Sequence, residues 1–174
     1  LAAAERCESV LRSMVGRQLD PNEIRLEPTD VGELCERVVS SWSSVAGPAK
    51  LDLVVEAGPS HRCMLPAVPF TQALLDLLDN AAEATAGRVL LRVSCRPQLC
   101  MVSVEDEGPG WPDVVRANLG QPFLTLKPQG TGLGLYNAHS LAMALGGELR
   151  LEEREGGGAI AVFALPCDDD SLSD

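Results

Sequence analysis

"PFLTLKPQGTGLGLYNAHSLAMALGG", residues 122–147, carries glycine at positions 130, 132 and 134 and runs into a segment dense in helix formers. Leu135 to Leu145 reads as a helix that stops at Gly146-Gly147. A flexible backbone ahead of a helix can aim unpaired amides at an anion, where the positive end of the helix adds its own attraction. That suits phosphate. Read singly, the stretch is a flexible loop with a helix cap, and it is neither a P-loop nor a dinucleotide fingerprint after a strand. Lys127 is the only cation in the loop; it is placed to reach a terminal phosphate, with a solvent-facing lysine as the plain alternative.

On either side of this stretch the pattern has the two-residue period of strands. Downstream, "ELRLEER" and "AIAVFALP" form a hairpin across "EGGG"; upstream, "RVLLRVSC" and "LCMVSVED" form another across "RPQL". The second hairpin ends in "VEDEGPGWP", where Asp106 closes a strand and Gly108-Pro109-Gly110 follow. A glycine-enabled turn explains this cheaply. The functional reading is an adenine pocket, in which a carboxylate at a strand end accepts a hydrogen bond from the exocyclic amine. Farther upstream, a long helix from Val68 to Ala86 contains "DLLDNAAEA", residues 76–84. Leu74, Leu77, Leu78 and Ala81 recur on one face, and Asp76, Asp79, Asn80 and Glu83 repeat the spacing on another. Taken alone the polar stripe is a solvated surface. It is also mildly repulsive, having no lysine within the helix, and its oxygens are ligands a hard cation such as Mg²⁺ would accept.

Elements nearer the N-terminus complete the inventory. A helix over residues 2–16 is followed by a proline-punctuated connector, a helix over Val31 to Trp42 capped by Thr29 or Asp30, and strands at Leu51–Glu56 and Arg62–Leu65. Strands outnumber helices and come in hairpins. The fold class is therefore α+β: a two-layer sandwich whose mixed, mainly antiparallel sheet is covered on one face by helices. With 174 residues, one domain is expected, and with only 3% aromatic residues its core must be aliphatic. A net charge of -11 excludes a basic footprint for nucleic acid or anionic lipid. No apolar run is long enough to span a bilayer and no signal peptide is apparent, so a cytoplasmic domain is expected; the absent initial Met is compatible with a longer, membrane-anchored parent. The six cysteines (7, 35, 63, 95, 100 and 167) are scattered without a C-x-x-C pair, and read as buried or free thiols, with Cys95 and Cys100 able to meet across a hairpin. The acidic tail 168–174 is expected to be disordered.

The order of these pieces is more specific than any one of them. Asn on a helix, then "DEGPG" after a strand, then "PF" and "GTGLGL" opening a helix, resembles the GHKL (Bergerat-fold) ATP-binding superfamily of sensor histidine kinases, anti-sigma-factor kinases, MutL-type ATPases and heat-shock chaperone ATPases. The resemblance covers roughly Leu51 to Pro166. It implies that ATP and Mg²⁺ are the cofactors, that Asn80 coordinates Mg²⁺, that Asp106 reads adenine, and that Gly108 and Gly110 shape the base pocket. Gly130, Thr131, Gly132, Leu133 and Gly134 would surround the phosphates, and Phe123 would anchor a lid over about Trp111 to Thr131. "PFLTLKPQGTGLGL" and residues 144–147 look most like histidine kinases; "ERCESVLRSM" resembles the end of the dimerisation hairpin in RegB/PrrB-like redox-sensing kinases. The organisation implied is a truncated dimerisation helix at 1–18, a linker at 19–30, the catalytic domain at 31–167 and the tail. The partners implied are the histidine-bearing helical hairpin of the parent kinase, a response-regulator receiver domain and a second copy of the parent, with no nucleic acid.

Two departures matter. His61 in "SHRCML" and His139 in "NAHSLA" do not resemble a phosphoacceptor motif, so the chain is expected to bind ATP without phosphorylating itself. At Asp76, histidine kinases usually carry Asn, whereas chaperone and MutL-type ATPases carry a Glu that orients water. Asp76 is expected to support the metal and the accepting imidazole, and with Asn80 and Lys127 forms the expected catalytic set. An anti-sigma Ser/Thr kinase, a MutL- or chaperone-like ATP-driven clamp and a nucleotide-binding pseudoenzyme are the alternatives.

Overall fold

Alternation sets the centre of the sheet. In the computed structural model, which describes residues 25–42, 49–56, 62–128 and 130–167, strands β4 (Arg88–Arg96) and β5 (Leu99–Asp106) pair antiparallel with Val89 opposite Asp106 and Cys95 opposite Cys100. Val89, Leu91, Val93 and Val102 are fully buried on one face, as the period of two requires. Pro97 and Gln98 make the turn, with Gln98 at φ 65° supplying the left-handed residue. Cys95 and Cys100 are bonded as a disulfide across this hairpin.

Strand β2 (Lys50–Val55) lies parallel to β4 on one side. On the other, β7 (Ala159–Pro166) pairs antiparallel with β5, and β6 (Glu148–Glu153) with β7. The order is β2-β4-β5-β7-β6; a separate antiparallel pair joins β1 (Glu27–Asp30) to β3 (Arg62–Leu65). The sequence reading put residues 27–30 in a connector because "EPTD" has a proline and two acids and no apolar alternation. Pairing with β3, a contact distant in sequence, makes it a strand.

Three helices supply the second layer: α1 (Val31–Trp42), α2 (Ala67–Ala84) and α4 (Gly134–Ala144). Asp30 caps α1, its Oδ1 accepting the Glu33 amide at 3.0 Å. Pro69 is tolerated because it lies in the first turn of α2, where no helical amide is lost. The apolar stripe of α2, including Phe70, Leu74, Leu77 and Leu78, is buried against the sheet, and Phe70 meets Phe163 of β7 with ring centroids 5.2 Å apart. These two rings carry much of the aromatic packing in a core otherwise built from aliphatic residues. The opposite sheet face is laced by ion pairs, Arg88 to Asp52 at 2.7 Å and Arg92 to both Glu56 and Glu105 at 3.1 Å. Helices on one face and charge on the other give the expected α+β sandwich.

A short helix, α3 (Asp113–Ala117), was not anticipated in the segment after "DEGPG"; at five residues it is too brief to show a period. The helix expected over 2–16, Cys7, His61 and the tail 168–174 lie outside the described residues. No described helix is long and apolar enough to cross a membrane.

Candidate functional site

The polar stripe of α2 faces neither bare solvent nor a single partner. Gln72, one turn back, donates to Asp76 Oδ1 at 2.9 Å. Burial pushes the Asp76 carboxyl above its ordinary range; the Gln72 bond pulls it back and the charge of Asp79 adds to the rise. Asp79, which the sequence leaves either to solvent or to a supporting role behind the site, accepts the indole Nε1–H of Trp42 at 2.8 Å and so ties α1 to α2. Lys127 reaches across from the glycine-rich loop: its ammonium donates to Asn80 Oδ1 at 2.8 Å and pairs with Glu83. The cation that the helix lacks in its own sequence therefore arrives from 44 residues away.

At the end of β5, Asp106 is only 5% exposed. Its carboxylate accepts the Gly108 amide at 2.8 Å and a backbone bond from Ala159. Burial raises its pKa, while these two bonds and the charge of Arg154 oppose the rise. β7 enters directly beside it: Gly158, at φ 117°, packs so closely that a β-carbon there would overlap the Asp106 carbonyl oxygen. Read from sequence, Gly158 belonged only to a hairpin turn.

The segment between β5 and α4 arches over the space left by α2 and β5. Trp111 Nε1–H donates to the Ile160 carbonyl at 2.9 Å, fixing the start of the arch to β7. At its far end the Phe123 amide donates to the Gly132 carbonyl at 3.1 Å, and Gly132, at φ 67°, has no room for a side chain against the Phe123 backbone. Phe123 itself stands at φ 63° with its residue 40% exposed, so its hold on the loop is through the main chain. Gly134 then opens α4 against Asp76, whose Cβ would stand 3.2 Å from an added β-carbon. His139 packs its ring on Gly120.

These parts enclose a cleft of about 920 Å³, in the size range of small-molecule sites. Asp76, Asn80, Asp106, Gly110, Lys127 and residues 130–134 line it, whereas Gly108 and Phe123 do not. Its floor also includes Asn137, whose side-chain oxygen is buried with no hydrogen-bond partner among the described residues. Sequence reasoning passed over Asn137; the signal was a lone amide one turn before Leu141 on an otherwise apolar face.

Residues 67–169, more than half the chain, match the family described as histidine kinase-, DNA gyrase B-, and HSP90-like ATPase. The chain belongs to this ATPase family. Within it the similarity runs to sensor kinases: 31% identity to sensor protein kinase PilS of Pseudomonas aeruginosa over 91% of this chain, and 36% to sensor protein FixL of Bradyrhizobium diazoefficiens over 60% of it. The crystal structure of full-length ShkA in complex with AMPPNP is 29% identical, with a TM-score of 0.72 over 84% of this chain and 32% of that one. The chain spans 31% of the length of PilS and 22% of that of FixL. It is an ATP-binding domain of the histidine-kinase type, and the family match begins at the first residue of α2.

Proposed function

We propose that this domain binds ATP with Mg²⁺ in the cleft and passes the γ-phosphoryl group to a histidine on a helical hairpin outside this sequence. From there the group moves to an aspartate of a response-regulator receiver domain, in a homodimeric parent whose catalytic portion, residues 31–167, lies in the cytoplasm and whose dimerisation helix ends within residues 1–18. The observation that carries this reading is the opposition, across one cleft, of the oxygen-bearing face of α2 and the amide-rich segment that opens α4.

Asp106 supplies adenine recognition: its carboxylate is held by two backbone bonds and is the natural acceptor for an exocyclic amine. Gly108 turns the chain below the base, and Gly110 lines the pocket. Gly130, Thr131, Gly132, Leu133 and Gly134 take the phosphates through amides and the positive end of α4. The donor set on α2 fits a hard cation. Asn80 Oδ1 already accepts an ammonium, and the Asp76 carboxylate stands one turn away, so these two oxygens would hold Mg²⁺. When bound, the cation neutralises phosphate charge. Lys127, bonded to Asn80 and Glu83, adds a counter-charge, and Phe123 secures the loop through Gly132. What the chain contributes to phosphoryl transfer is positioning and charge complementarity.

The test is to incubate the chain with γ-labelled ATP, alone and with the parent's histidine hairpin as a separate polypeptide. Acid-labile label on the hairpin and none on the chain is the expected result. Phosphate release without any phosphoprotein would favour the clamp reading, label on serine or threonine of a bound partner the anti-sigma reading, and phosphohistidine on this chain alone would overturn the present one.

A further inference from the structure

The end of the sheet remote from the cleft gathers sulfur. Cys63 of β3, Cys100 at the start of β5 and Cys167, just past β7, bring their sulfurs within 4.8 Å of one another. Cys95 of β4 is the register partner of Cys100 and is bonded to it. Three of the chain's six cysteines thus meet from three segments, and a fourth, Cys95, is bonded to one of them. The Cys167 amide donates to the Gln98 carbonyl at 3.2 Å, which pins the residue after the last strand to the turn of the Cys95–Cys100 hairpin.

We propose that Cys63, Cys95, Cys100 and Cys167 form a four-thiolate site for one soft divalent cation of the zinc class. Single cysteines are ordinary core residues, as Cys35 of α1 illustrates: burial, helped by the charge of Asp30, pushes its thiol up to about 12, where it is inert. Three sulfurs within 4.8 Å of one another, with a fourth bonded to one of them, are a different matter, since aliphatic side chains would fill that volume better and at no risk of oxidation. Cys95-x₄-Cys100 lies within the two-to-four-residue spacing of zinc ligand pairs, and here it straddles a tight hairpin turn. A tetrahedral site with zinc–sulfur bonds of about 2.3 Å has sulfur–sulfur edges of about 3.8 Å, inside the separation found for Cys63, Cys100 and Cys167, and opening the disulfide would free Cys95 for the fourth corner. The donors are all soft, which selects zinc over magnesium or calcium.

The chemistry balances in two steps. The Cys95–Cys100 disulfide first takes two electrons and two protons from two cellular thiols of the glutathione class, which leave as their own disulfide. The four thiols then release four protons as their sulfurs bind one M²⁺, leaving a net charge of two minus on the site. In one respect this rests on the proposed function: a domain that uses ATP works where ATP is supplied, and that compartment keeps cysteine pairs reduced. Bound metal would clamp β3, the β4–β5 hairpin and the end of β7 to one another, on the side of the domain away from the nucleotide.

The test is titration of the reduced 174-residue chain with Co²⁺ alone. We expect thiolate-to-cobalt charge-transfer absorption and the intense visible bands of a tetrahedral sulfur site, saturating at one equivalent and displaced by Zn²⁺. Cys167→Ser, at the half-buried edge of the cluster, and Cys63→Ser should each weaken cobalt binding by more than the about 10- to 100-fold lost with an outer-shell partner. Cys35→Ala should leave it unchanged. Absence of the charge-transfer band on reduced wild-type chain would overturn the proposal without recourse to any variant, as would full affinity in Cys167→Ser. A fluorescent ATP analogue, measured in the same samples, separates the two readings: nucleotide binding without cobalt binding sinks only the metal site, and cobalt binding without nucleotide binding sinks only the ATP site.

Discussion

Strand β5 begins at one kind of chemistry and ends at another. Cys100, one residue in from its start, belongs to a buried group of sulfurs; Asp106, at its end, is a carboxylate fixed by backbone bonds at the edge of a wide cleft. The two lie roughly 20 Å apart, six residues at about 3.3 Å each. One pole presents hard oxygens and amide hydrogens that a hydrated, anionic ligand can approach. The other presents soft donors in a place water barely reaches. The difference teaches that a single sheet can separate ligand chemistries by depth and donor type without any division into domains.

The comparison breaks first at Asp106. Asp106→Asn keeps the shape of the side chain but loses a charged acceptor, and nucleotide affinity should fall about 10- to 100-fold, or about 1.5–3 kcal/mol, in a titration with an ATP analogue, with cobalt binding at the far pole unchanged. Next is Gly158→Ala. Overlap with the Asp106 carbonyl forces β7 outward and should cost about 1–3 kcal/mol in denaturant unfolding, with loss of nucleotide binding as Asp106 shifts.

Asp76→Asn sharpens the electrostatic side of the contrast. Burial raises the Asp76 pKa above its ordinary 3.8, so the folded state holds the proton more tightly than the unfolded one. The resulting stability is fully present below pH 3.8 and is lost as pH rises through the folded value. At neutral pH the Asn variant should therefore be slightly the more stable, by under about 1 kcal/mol in thermal or urea unfolding, with the difference shrinking as pH is lowered. The smallest effect is the most diagnostic of separation: combining Asp106→Asn with Cys167→Ser should give additive stability changes within about 0.5 kcal/mol, and a larger coupling would show that the poles communicate.

Most of the architecture was legible because it is local. The alternation of "RVLLRVSC" and "LCMVSVED" fixed β4 and β5, the stripe through Leu74, Leu77 and Leu78 fixed α2, and the ordered glycine motifs singled out the segments that line the cleft. Features made by distant pairing were not legible. Residues 27–30 are a strand only because β3 lies alongside, Asp79 is bonded only because α1 brings Trp42 to it, and Lys127 offsets the acid stripe only because its loop folds back. The cysteines show the same limit: their sequence positions look scattered, yet antiparallel pairing returns Cys95, Cys100 and Cys167 to one end of the sheet, and β3 lays Cys63 beside Cys100 and Cys167. Gly158 and Asn137 were passed over because the demand on each comes from a neighbour on another element.

The crossing of Gly158 over Asp106 also bears on when the cleft can exist. β7 occupies an interior position in the sheet although it is the last of the described strands, and it supplies both the Ala159 bond to Asp106 and the Ile160 carbonyl that receives Trp111. A growing chain that has emerged only as far as α4 possesses Asn80, Lys127 and all the glycines of the loop, but no finished wall for a base. Closing so long a loop is entropically costly and is repaid only when the whole strand docks. A base pocket built on Asp106 is therefore complete only once β7 has docked.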